Sequence, residues 1–138
     1  MRQRWFLGLQ LIAAASLLGA CSGGTEEAKQ GVSGFRTRVA NGAVAEIYRT
    51  ASPEFRHAIT EEQFQRFMAG LDRNLGSWQS AEAPAWNIRR GTGGHFVALT
   101  YQSKFSRGGA TEQFTWRIDH GTAVLVGYNI NSVLLVSD

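Results

Sequence analysis

Between Phe35 and Leu75 apolar residues recur three and four positions apart, and after Gly76 they recur at every second position. That change of period predicts helices followed by strands. Phe35 and Val39, then Val44, Ile47, Tyr48 and Ala51, form a helical stripe with a break at Asn41-Gly42, where glycine weakens a helix by about 1 kcal/mol. Ser52-Pro53 predicts a restart, with serine as N-cap and proline in the first turn, and with Phe55 and Ile59 facing inward. The clearest helix starts at Thr60: Thr60-Glu61-Glu62-Gln63 is a capping-box pattern, the stripe is Phe64, Phe67, Met68, Leu71 and Leu75, and Gly76 closes it.

Trp78 to Glu82 and Ala85 to Arg90 are short extended segments separated by Pro84, the first an edge strand or an extended loop. Gly91-Thr92-Gly93-Gly94 precedes a strand rather than a helix, so it is a turn and not a phosphate loop. The next strand sets Val97, Leu99, Tyr101 and Phe105 on one face. A turn at Ser106-Arg107-Gly108-Gly109 leads to a return strand with Glu112, Phe114, Trp116 and Ile118 on one face. A four-residue turn places Phe105 opposite Ala110, Ser103 opposite Glu112, Tyr101 opposite Phe114 and Leu99 opposite Trp116. After Asp119-His120-Gly121 the last long strand runs from Thr122 to Ile130, with a bulge expected at Gly127 and Tyr128 re-aimed by it. Val133 to Val136 either extends this strand or covers an edge.

The amino-terminal segment has a different pattern: Arg2 and Arg4, an apolar run from Trp5 to Leu18, then small residues before the only cysteine. This is the layout of an export signal rather than a membrane span. Leu18-Gly19-Ala20-Cys21 resembles the bacterial lipobox. The resemblance implies cleavage between Ala20 and Cys21 and a diacylglycerol thioether with acyl chains on Cys21, a firm membrane anchor. It places the protein in the cell envelope, facing the periplasm. Ser22 after the cysteine, in place of Asp, points to the outer membrane of a Gram-negative cell. The chain then divides into a signal at 1–20, a flexible tether at 21–34 that is small and polar, and a single α+β domain at 35–138.

Cleavage changes the charge picture. The chain of 138 residues carries a formal +3, but without Arg2 and Arg4 its 14 basic residues fall to 12 against 11 acidic ones, a net of +1. Only Arg89-Arg90 remains as a basic pair, so nucleic acid is not an expected partner.

Helices followed by a curved antiparallel meander form an α+β arrangement. The carrying residues are Ala40-Asn41-Gly42 before Ile47-Tyr48, the helix ending Leu75-Gly76, Tyr101-Gln102-Ser103-Lys104-Phe105, the Glu112 strand and Gly127-Tyr128-Asn129-Ile130. On these the chain resembles lipoprotein families of the cystatin-like superfamily, which includes nuclear transport factor two and the ketosteroid isomerases. The resemblance implies a cone-shaped sheet wrapping the long helix, with a pocket at its open end. It also implies an outer sheet face, here Phe96, Ala98, Val124 and Val126, used for a homodimer or protein partner. Ala123 stands where relatives often place Trp, and the inward Asp with paired Tyr of the isomerases is missing.

The inward residues Phe64, Met68, Leu99, Tyr101, Glu112, Phe114, Trp116 and Tyr128 either fill the core or line a pocket for a small apolar ligand. Glu112 is the most informative of them, a carboxylate at an apolar position, which needs donors such as Ser103 or Tyr101 if buried. His57, His95 and His120 lack metal-ligand spacing, and neither a nucleophile motif nor a cofactor motif is present. The expectation is a non-enzymatic binding or interaction module with no cofactor, no metal and no catalytic residue. The alternative is a small isomerase- or dehydratase-like enzyme using Glu112 with Tyr101 or Tyr128.

Overall fold

The computed structural model describes residues 23–136. The sequence expectations for the signal at 1–20, for cleavage after Ala20 and for the lipid on Cys21 lie outside these residues.

Four helices precede five strands: α1 Thr25–Ala40, α2 Val44–Thr50, α3 Pro53–Ala58, α4 Glu61–Leu75, β1 Trp78–Ala81, β2 Ala85–Gly91, β3 Gly94–Phe105, β4 Gly108–Asp119 and β5 Thr122–Asn131, with a short 3-10 turn at Val133–Leu135. The first helix corrects the expected tether. Thr25, Ala28, Val32 and Phe35 are buried along one side of α1, a stripe too small and polar to read as apolar by composition but narrow enough to pack. Glu26 and Glu27 occupy its first turn, where the helix dipole favours acids. Gly31 faces the Trp116 ring, and a Cβ there would lie 3.0 Å from it, so the missing side chain lets the helix approach the sheet closely.

The next two helices begin where the sequence places them. Asn41-Gly42 separates α1 from α2, and the Ser52 hydroxyl accepts from the Phe55 amide at 3.1 Å to cap α3. At α4 the capping box is complete: the Gln63 amide donates to Thr60 Oγ1 at 3.2 Å and the Thr60 amide to Gln63 Oε1 at 3.0 Å. Its buried stripe is Phe64, Met68, Leu71 and Leu75, while Phe67 is 40% exposed and leaves the expected set.

The strands form one antiparallel sheet in the order β1-β3-β4-β5, with β2 also paired to β3. Thus β2 runs along the first half of β3 and β1 along its end, side by side on one edge. No pairing joins that edge to β5, so the sheet is open and uncurled. The α+β class and amino-terminal helices hold; the cystatin-like cone does not. Element order says nothing of curvature, which comes from strand tilt and accumulated bulges. Here one bulge interrupts β4–β5, at Val126 beside Gly127, between the pairs Thr115–Gly127 and Trp116–Leu125.

The β3–β4 hairpin is also corrected. Its loop is two residues, Ser106 and Arg107, so Phe105 pairs with Gly108, Ser103 with Ala110, Tyr101 with Glu112, Leu99 with Phe114 and Val97 with Trp116. The register moves by an even step and every side chain keeps its face. That face carries the core, centred on Phe114, whose ring lies 5.1 Å from Phe35, 4.9 Å from Tyr128 and 6.0 Å from Tyr101. Val133–Leu135 turns away instead of extending β5, with the Ser132 hydroxyl donating to the Gly109 carbonyl at 2.7 Å.

Candidate functional site

Parity puts Glu112 on the helix-facing side of β4, and the structure buries it to 2% exposure. Three donors converge on its carboxylate. Arg36 Nη1 donates to Oε1 at 2.9 Å, the Ser103 hydroxyl to the same oxygen at 2.6 Å, and the Tyr128 hydroxyl to Oε2 at 2.7 Å. Ser103 acts as the sequence predicts, from a diagonal rather than an opposite position. Tyr101 stands directly across from Glu112 but donates nothing to it; its ring lies 5.2 Å from the Arg36 guanidinium.

Arg36 is the residue that sequence reasoning missed. It follows Phe35 on α1, and its guanidinium is sandwiched over the ring of Trp78, 4.1 Å from the centroid, an arrangement that favours a partly desolvated cation. The sequence places Trp78 only in an edge strand or an extended loop. The one available signal was an arginine beside the inward stripe position of Phe35.

This geometry holds a charge rather than exposing one. A carboxylate has about four acceptor directions, and three are taken by a cation and two hydroxyls, so Glu112 is poorly placed to accept a substrate proton. Burial, then the Glu112 charge and the hydrogen bond to it, push the Tyr128 hydroxyl far above the ordinary tyrosine range. Burial likewise raises Tyr101.

A pH dependence follows from Tyr128. Its folded form holds the proton more tightly than the unfolded chain, which ionises near pH 10. The stabilisation is therefore complete below about pH 10 and falls as pH rises beyond it. Absorbance at the phenolate band, followed with circular dichroism, should show Tyr128 ionising only as the fold is lost. Ionisation at the ordinary tyrosine pH with the fold intact would contradict this.

Above the ion pair lies a cleft of about 270 Å³ between α1, α4 and β1, lined by Phe35, Val39, Met68, Leu71, Trp78 and Phe105 with Arg36, Glu112 and Tyr128 on its wall. Of the expected pocket residues, Met68, Glu112 and Tyr128 meet here. Phe64, Leu99 and Phe114 are packed core at 0–1% exposure. Trp116 borders a separate cleft of about 400 Å³ with Gly31, Ile47 and Ala123, and Tyr101 lies in a shallow groove beside Val32 and Trp78. Phe96, Ala98, Val124 and Val126 are half-buried, Phe96 under the Arg89 guanidinium at 5.0 Å. Among the described residues no three His, Cys, Asp or Glu side chains are grouped to hold a metal ion, and no helix is long and apolar enough to cross a membrane.

No curated protein matches the sequence. One family model does, described as a protein of unknown function (DUF4019), over residues 34–128. That span contains Arg36, Trp78, Ser103, Glu112 and Tyr128. Together with the open sheet it replaces the cystatin-like assignment. Since the match takes in most of the chain, the protein belongs to the DUF4019 family.

Proposed function

We propose that the protein is a non-enzymatic binding module of the cell envelope, anchored through Cys21, that takes a small apolar ligand in the cleft between α1, α4 and β1. The observation that carries this reading is the saturation of Glu112. With Arg36, Ser103 and Tyr128 already on the carboxylate, the polar end of the cleft is internally satisfied, and the rest of the lining is mainly apolar, with Val39, Met68, Leu71 and Trp78 beside Asp72 and Ser77. Apolar walls with a few fixed polar groups are the usual make-up of a small-molecule site. The size favours a compact ligand, since about 270 Å³ is near the lower end of such sites. The anchor is supported by the signal-like segment and the Leu18-Gly19-Ala20-Cys21 motif.

The test is titration with the uncharged fluorophore N-phenyl-1-naphthylamine. The expected result is saturable binding at one site, weakened about tenfold or more by Ala40→Trp, a cost of about 1.4 kcal/mol. Ala40 is an exposed cleft-rim residue at the end of α1, so the new ring obstructs the opening without entering the core. Binding that fails to saturate, or is indifferent to Ala40→Trp, would remove the cleft from consideration.

A further inference from the structure

The helix that replaces the expected tether changes where the domain sits. Gly23, which packs on the sheet, is only two residues after Cys21, and two residues span at most about 7 Å. A lipid-bearing Cys21 therefore holds the domain against the bilayer instead of lifting it away.

The point of entry also selects a face. Gly23 lies against β2: a Cβ built on it would be 2.9 Å from Ile88 Cδ1 and 3.8 Å from Arg90 Nη2. Trp86, Ile88 and Arg90 pair with Leu99, Val97 and His95. With Leu99 and Val97 in the core, Trp86 and Ile88 lie on the helix side of the sheet, yet the helical layer leaves them uncovered, at 62% and 38% exposure. Arg90 shares their side, while Arg89 alternates to the opposite face, over Phe96. No Asp or Glu occurs between Glu82 and Glu112, so the charged side chains of β2 and β3 are all basic.

From this placement we infer that the β2 face, with Trp86 and Ile88 as apolar contacts and Arg90 as the cation beside them, docks on a bilayer surface bearing anionic phospholipid. Tryptophan favours the headgroup level, where its ring is apolar and its N–H stays wet. An arginine on the same face gains from negative headgroups within a Debye length. The inference rests on the Cys21 anchor proposed above.

The test uses the full processed chain reconstituted in vesicles of phosphatidylethanolamine and phosphatidylglycerol containing a brominated phospholipid, with the mass of the chain recording the lipid on Cys21. Comparison of the chain with its Trp86→Phe variant isolates Trp86 emission from that of the other tryptophans. The expected result is strong bromolipid quenching of Trp86, reduced about twofold or more when Arg90 is changed to Gln or when phosphatidylcholine replaces the anionic lipid. A lipidated chain whose Trp86 is not quenched overturns the docking face and leaves the anchor standing. An unlipidated chain that does not sediment with vesicles overturns both. Protection of Trp86 that follows protein concentration and not the bromolipid identifies a second copy, paired through the exposed β2 edge, and also overturns the inference.

Discussion

Replacing Arg36 with Met should cost the fold about 3–5 kcal/mol, the range for removing one partner of a buried ion pair. Against a total stability of about 5–15 kcal/mol, that is enough to leave the variant marginal. Glu112 at 2% exposure is almost wholly withdrawn from water, so without Arg36 its carboxylate retains only Ser103 and Tyr128 as protein donors. Methionine keeps the apolar stem against Trp78, which isolates the lost charge from the lost packing. Glu112→Gln should cost less, because Arg36 is partly exposed at 12% and can recover some hydration. The double variant Arg36→Met with Glu112→Gln should then be more stable than the sum of the single effects implies, since no unpaired charge remains. Urea unfolding of the four proteins measures the coupling. A cost below about 1 kcal/mol for Arg36→Met, or strict additivity, would show that the pair does not hold the interior together.

That pair also marks the limit of what the sequence could reveal. Glu112 was legible because strand parity is local: a carboxylate between apolar alternates must face inward wherever the strand is half-buried. Its cation lies 76 positions away on a helix, and no periodicity links the two. The α4 helix was legible from its cap, stripe and closing glycine, all within one segment. The first half of α1 was not, because Thr25, Ala28 and Val32 earn their burial from the sheet they rest on, and composition weighs them as a polar linker. The hairpin register failed in a way that parity cannot detect, by an even step. Sheet curvature failed because helix-then-meander order is shared by closed and open arrangements. The resemblance to a cone was thus a match of order, and the path from β1 to β5 decided against it.

Gly76→Ala should be the second most damaging single change, at about 3 kcal/mol from backbone strain and collision together. Gly76 has φ 75° and ψ −158°, a region closed to residues with a Cβ, and a Cβ built there collides with Ser106 Oγ. The position cannot relax easily, because three hydrogen bonds join this end of α4 to the hairpin tip. The Arg107 amide donates to the Leu75 carbonyl at 2.9 Å, the Ser106 amide to the Ser77 carbonyl at 2.8 Å, and the Ser77 amide to the Ser106 hydroxyl at 3.1 Å. Adding Ser106→Gly to Gly76→Ala removes the collision but not the strain, so stability should return only in part. If the double variant recovers fully, collision is the whole effect; if Gly76→Ala alone costs less than about 0.5 kcal/mol, the junction yields and the argument fails. The site gives a second readout. Gly76, Ser77 and Trp78 all border the cleft, and Trp78 is the ring that covers Arg36. A junction that shifts should move Trp78 off the guanidinium, so Gly76→Ala ought to change tryptophan emission and weaken fluorophore binding under conditions where the chain is still folded.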